Sequence, residues 1–155
     1  MKITMEWAWT ALAHHLPSDP AVWDPSGVVA AVARHQNDLV LVPEQPAPDI
    51  AWRAAAFLHT LAVCPALESP MNEFYAAAAT RSYLRVAGAE QLPPPEVLGD
   101  LVEAAKLGRA DVAAVAEELR AHIKEPPPLD AAAAPGGAPG GAPGGAPGAP
   151  GGAPA

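Results

Sequence analysis

Sequence able to build a core ends at Glu125-Pro126-Pro127-Pro128, and no other feature limits the fold as much. Past Leu129 and Asp130 the chain runs in APGG-type units with no charge and no large apolar side chain. Such a composition buries too little surface to offset the roughly 1–2 kcal/mol per residue that backbone ordering costs. Its glycines fall at irregular intervals, whereas a collagen helix needs one at every third position. The expectation is one domain over residues 1–124 followed by a disordered Pro/Gly/Ala-rich tail over 125–155. A domain of that length can form a core without disulfide or metal staples.

Within it, apolar residues recur at helical spacing and strand-like alternation is nearly absent. Residues 5–15 predict a first helix, stopped by the Pro17 and Pro20 region. Ser26 is the expected N-cap of a second, with Val28, Val29, Val32 and Ala33 as its core face. Asp49 is expected to cap a third, whose stripe is Ile50, Ala54, Phe57, Leu58 and Leu61. Its opposite face is also largely apolar, which places it at the centre of a bundle. Residues 71–87 predict a fourth, stopped by Gly88 in the left-handed conformation. Residues 95–107 carry Leu98, Leu101 and Ala105 and end at Gly108. Asp111 then caps a helix with Val112, Val115, Ala116, Leu119 and Ile123 on one side, and the last two helices are expected to pack as a hairpin. The fold class is all-α, with at most a small β-hairpin around the strand candidate Leu39-Val40-Leu41-Val42. The tryptophans at 7, 9, 23 and 52 read as packing anchors.

The net charge of −8, with only nine scattered Lys and Arg, argues against nucleic acid as the main partner and against reading the last helix pair as a DNA-binding helix-turn-helix. An acidic surface favours protein partners. The lone cysteine, Cys64, excludes an internal disulfide and a multi-cysteine metal site, and suits a cytoplasmic location. Glu6 interrupts what would be the apolar core of a leader peptide. Arg53, His59 and Pro65 interrupt the most apolar stretch, so no membrane span is expected. The Ala-, Gly-, Pro- and Arg-rich composition fits a high-GC bacterial genome.

Between the two most apolar helices lies Cys64-Pro65-Ala66-Leu67-Glu68-Ser69-Pro70-Met71-Asn72-Glu73-Phe74, a loop leading into a helix N-terminus, where backbone N–H groups and the helix dipole favour an anion. Pro65, Glu68 and Asn72, followed by a helix that closes through Leu84-Arg85 onto Gly88, resemble the Fic/Doc family and its signature HPFx[DE]xN[GK]R. The C-terminal run through Leu98, Leu101, Gly108, Val115, Leu119 and Arg120 parallels the same family. The likeness covers residues 51–123 and resembles short Fic-type toxin components of bacterial toxin–antitoxin systems. It implies a Fic/Doc-like bundle, with residues 39–48 at the position of a flap that docks a target chain by strand addition.

The resemblance further implies a phosphoryl or nucleotidyl transferase using ATP or another nucleoside triphosphate with Mg²⁺. Glu68 would hold the metal. Cys64, Glu68 and Asn72 would form the catalytic set, and Pro65, Asn72 and Arg81 would line the nucleotide. Partners would be a cognate antitoxin and a protein target such as a translation factor. The motif is degenerate: Cys64 replaces the family's His, Phe74 its Arg, and no Gly follows Asn72. His59 is the nearest imidazole in sequence. A thiol makes a weak general base unless a helix N-terminus activates it, and Phe cannot replace a bidentate phosphate clamp. The alternative is therefore a catalytically inactive Fic-fold module that binds protein and needs no cofactor.

Each residue also has a plainer reading: Glu68 as a helix-start carboxylate, Asn72 as an early-helix polar residue, and Cys64 as a small buried hydrophobe. His59 is otherwise a core or boundary histidine. His14 and His15 read as solvent-facing, and Arg81 with Arg85 as an i,i+4 pair that could attract an anion or join surface ion pairs.

Overall fold

The computed structural model describes residues 1–18, 20–37 and 48–124. The strand candidate at 39–42, most of the flap at 39–48 and the tail at 125–155 lie outside them. The described residues form six helices and no strand: α1 Met5–His15, α2 Ser26–Gln36, α3 Ile50–Val63, α4 Met71–Val86, α5 Pro95–Lys106 and α6 Val112–His122. The fold is the expected helical bundle.

Helix α3 is its axis. Nine of its residues are buried on more than one face, among them Ala51, Ala55, Phe57, Leu58, Leu61 and Ala62. Helices α2, α4, α5 and α6 all pack against it, and α1 closes the bundle over α4 and α2. Alanines at 51, 54, 55 and 56 let these neighbours approach closely, while Phe57, Leu58 and Leu61 each bring roughly 1.5–3 kcal/mol of burial.

The helix ends follow local chemistry. Asp49 accepts from the Trp52 N–H at 2.7 Å, and its carboxylate also receives Arg120 Nε at 2.6 Å and Nη2 at 3.1 Å. Burial pulls the Asp49 pKa up, but Arg120 and the Trp52 N–H outweigh it and hold the carboxyl below its usual range. One side chain thus caps α3 and ties α6 to it. Asp111 caps α6 through the Ala114 N–H at 2.8 Å, and Gly88 and Gly108 close α4 and α5 at φ 93° and 67°.

Several expectations shift. Ser26 opens α2 rather than capping it, and the Asp24 carboxylate accepts its N–H at 2.9 Å. The buried face of α2 is Val28, Ala31, Val32 and His35, whereas Val29 and Ala33 are exposed. The face rotates because His35 turns inward. Helices α5 and α6 pack on α3 rather than on each other, since the apolar circumference of α3 offers more surface than either offers the other. Trp7, Trp9 and Trp52 pack on the core, but Trp23 is 67% exposed.

His35 is a fully buried polar residue. Its Nδ1 donates to the Arg53 carbonyl at 3.1 Å, and Arg53 Nη1 donates back to the His35 carbonyl at 2.9 Å. The ring meets Tyr83 edge to face at 4.6 Å. Burial pushes its pKa down to about 4, against the partial support of the Arg53 carbonyl. The folded state therefore holds the neutral imidazole. Stability from this group is complete above pH ~6.5, where the unfolded chain is also neutral, and is lost as pH falls toward 4. We expect the unfolding free energy to drop by on the order of 3 kcal/mol between those limits. His35→Gln should remove most of that slope in denaturant titrations at stepped pH; an unchanged slope would exclude His35 as its source.

Candidate functional site

The loop between α3 and α4 was the expected seat of chemistry, and its geometry is decided by Asn72. Helix α3 ends with Cys64 as its C-cap, the Cys64 N–H bonding the Thr60 carbonyl at 2.8 Å. Cys64 and Pro65 are exposed, then Ala66 and Leu67 turn into the core, and Glu68 to Pro70 return to the surface. Asn72, one residue into α4, is only 3% exposed. Its Oδ1 accepts from the Ala66 N–H at 3.0 Å and the Leu67 N–H at 3.3 Å, while its Nδ2 donates to the Leu61 carbonyl at 2.8 Å. That carbonyl is among the last four of α3, which have no partner within the helix. One amide therefore terminates α3, folds the loop and anchors α4.

The remaining loop backbone is occupied from the other side. The Ala66 carbonyl accepts the Trp23 N–H at 2.9 Å, and Val22 and Leu67 form an antiparallel bridge. The start of α2 abuts Cys64: a Cβ on Gly27 would sit 2.3 Å from the Cys64 carbonyl oxygen, so only glycine fits.

This arrangement commits the Asn72 amide and the two inward N–H groups to each other. Pro65 and Glu68 lie at the exposed rim, where the Glu68 carbonyl accepts the Asn72 N–H at 3.1 Å. Cys64 sits at the C-terminal end of α3, not at a helix N-terminus, the position that activates thiols. It is exposed rather than a buried hydrophobe. Phe74, in the place of a phosphate-binding Arg, is 54% exposed. Among the described residues no three His, Cys, Asp or Glu side chains converge as a metal set. Of the groups expected to meet a nucleotide, the Asn72 amide is engaged within the loop, while the Glu68 side chain stays at the surface.

His59 is half-buried in a different setting. Burial and then Arg34 lower its pKa, with Asp111 and the Ala110 backbone opposing them, so its surroundings belong to α2 and the approach to α6. Its Nδ1 has no hydrogen-bond partner among the described residues.

Arg81 lies in a separate groove of about 590 Å³ between α4, the end of α1 and the start of α5. Phe74, Ala77, Ala78 and Leu98 form its apolar surface, with Arg81 and Arg85 at one end. Arg81 Nε donates to the Pro93 carbonyl at 3.4 Å. His15 faces this groove instead of solvent, its Nε2 lying 2.9 Å from Ser82 Oγ. Burial, then His14, lowers the His15 pKa. Glu73 on the groove wall pairs with Lys106, joining α4 to α5. Sequence reasoning missed His15, Ser82 and Glu73. A signal did exist in the helical spacing of Phe74, Ala78, Arg81 and Arg85, which lays an exposed aromatic and two cations along one stripe.

Truncating Asn72 should strand two buried N–H donors and one carbonyl. We expect Asn72→Ala to cost about 2–4 kcal/mol, whereas Glu68→Ala should stay within about 0.5 kcal/mol. Urea denaturation of both variants checks this; equal effects would remove the clasp assigned to Asn72. Compared with protein families and with curated proteins, the chain matches no family model and no curated protein.

Proposed function

We propose that this chain is a Fic/Doc-like component of a bacterial toxin–antitoxin pair that acts by holding another protein rather than by transferring a nucleotide. The observation that carries the reading is the Asn72 amide, bonded at once to Ala66, Leu67 and Leu61. The family-like spacing of Pro65, Glu68 and Asn72 supports descent from that framework, while these bonds occupy the amide that a phosphate would need. Cys64 and Phe74, standing where the family has its base and its guanidinium, point the same way. The partners would be a cognate antitoxin and a protein target such as a translation factor, met by an acidic surface without nucleic acid or cofactor.

The competing reading is a surviving phosphoryl or nucleotidyl transferase. It is favoured by the exposed Glu68 preceding α4. The two separate when the protein is incubated with labelled ATP, Mg²⁺ and lysate and is expressed in a bacterial host. We expect no labelled protein, together with a growth defect or partner complex that Glu68→Ala leaves unchanged. Label transfer that depends on Glu68 would establish the transferase, and expression without growth defect or complex would remove the toxin–antitoxin assignment.

A further inference from the structure

We infer that the groove between α1, α4 and α5 binds a small amphipathic carboxylate, its head on Arg81 and Arg85 and its apolar body along Phe74, Ala77 and Ala78. Such a site goes beyond the function proposed above and does not rest on it.

Helix α4 carries two faces with different tasks. Tyr75, Ala76, Ala79 and Tyr83 are fully buried and pack into the core. Phe74, Ala77, Ala78, Arg81, Ser82 and Arg85 recur at the alternating three- and four-residue steps that define a second stripe, and all six line the groove. The end of α1 and the start of α5 wall this stripe on its two sides, enclosing about 590 Å³. That volume falls within the roughly 300–1,000 Å³ of sites that take small molecules into a mostly apolar hollow with a few placed polar groups. On the α5 side a Cβ built on Gly99 would meet nothing within 4 Å, so the hollow is open there.

The polar groups of the hollow are segregated along it. Arg81, Ser82 and Arg85 fall within about one turn of α4, and His15 Nε2 lies 2.9 Å from Ser82 Oγ beside them. Among the described residues no carboxylate pairs with either arginine; Arg81 Nε donates to the Pro93 carbonyl at 3.4 Å. Three turns away by sequence, Glu73 is the one acid of the lining, and Lys106 neutralises it. One end is thus cationic, and the other is apolar with its charge cancelled. In a chain of net charge −8 the cationic end is a local reversal of sign.

This order selects a class of ligand. A guanidinium receives a carboxylate through paired N–H donors, and two stand here one turn apart. A cation would be repelled by them, and a neutral apolar molecule would leave them unused. A polyanion would gain nothing from Phe74, Ala77 and Ala78. Only an anionic head joined to an apolar chain engages both ends. From Phe74 to Arg81 the stripe rises about 10 Å at ~1.5 Å per residue, so the body must be a chain of several methylenes or its equivalent.

Calorimetric titration of the full-length protein with decanoate, below its micelle concentration, tests the site. We expect saturable binding at one site per chain. Octanoate should bind roughly tenfold more weakly, the effect of two buried methylenes, and decyltrimethylammonium should not bind. Replacing both cations, Arg81→Gln with Arg85→Gln, should weaken decanoate by about tenfold or more. Gly99→Leu places a side chain in the open part of the hollow at an exposed helical position, so it should block decanoate while leaving the fold intact. In ¹⁵N amide spectra decanoate should move Ala77, Ala78 and Gly99 and leave α6 in place. Absence of decanoate binding would overturn the inference, as would equal binding of decyltrimethylammonium or decanoate binding that survives Gly99→Leu. Groove resonances that shift on dilution of the protein alone would also overturn it, because they would place a second copy there.

Discussion

A helix that is apolar around most of its circumference cannot face water, and α3 imposes that condition on everything else. Ala51, Ala54 and Ala55 contribute small surfaces, Phe57, Leu58 and Leu61 large ones, and together they leave no side free for solvent along most of the helix. Covering it takes α2, α4, α5 and α6 at once, so the arrangement of the bundle follows from the number of neighbours α3 needs. The polar groups that remain near it are paired in place. Thr60 Oγ1 returns to the Ala56 carbonyl at 2.7 Å, and Arg53 exchanges backbone contacts with His35. A buried helix of this kind concentrates its unsatisfied groups at its ends, and both ends are closed by one side chain reaching in from the sequence beyond, Asp49 at the start and Asn72 at the finish.

The Asn72 clasp sets the orientation of the backbone groups in the loop between α3 and α4. A phosphate cradle requires N–H groups aimed outward and an amide free to reorient toward a ligand. In this loop the N–H groups of Ala66 and Leu67 point to Asn72, and the opposite edge is engaged by Trp23 and crowded by Gly27. The same asparagine that could hold a ligand instead sets the distance between the end of α3 and the start of α4. Releasing it would expose buried polar backbone at a cost comparable to a sizeable fraction of a domain's stability. Rigidity at this point holds the end of α3 to the start of α4.

Helix positions and the central place of α3 were legible because each rests on local signals: Asp49 and Asp111 before apolar runs, Gly88 and Gly108 after them, and apolar residues on every side of residues 50–63. The loop was legible as a unit but not in its orientation. Whether an early-helix asparagine faces inward or outward depends on the carbonyl of Leu61, eleven residues upstream, and on the approach of α2, which no local pattern encodes. His15 was misread for the same reason. Two adjacent histidines at a helix end look solvent-facing, yet Ser82, sixty-seven positions away, draws one of them into a groove. His35 was hidden because its burial depends on reciprocal side-chain-to-carbonyl bonds with Arg53 across two helices.

The distribution of charge links the groove to the acidic character of the whole molecule. Arg81 and Arg85 place two cations beside an apolar surface in a chain whose net charge is −8. The groove is therefore a place among the described residues where an apolar wall and positive charge coincide.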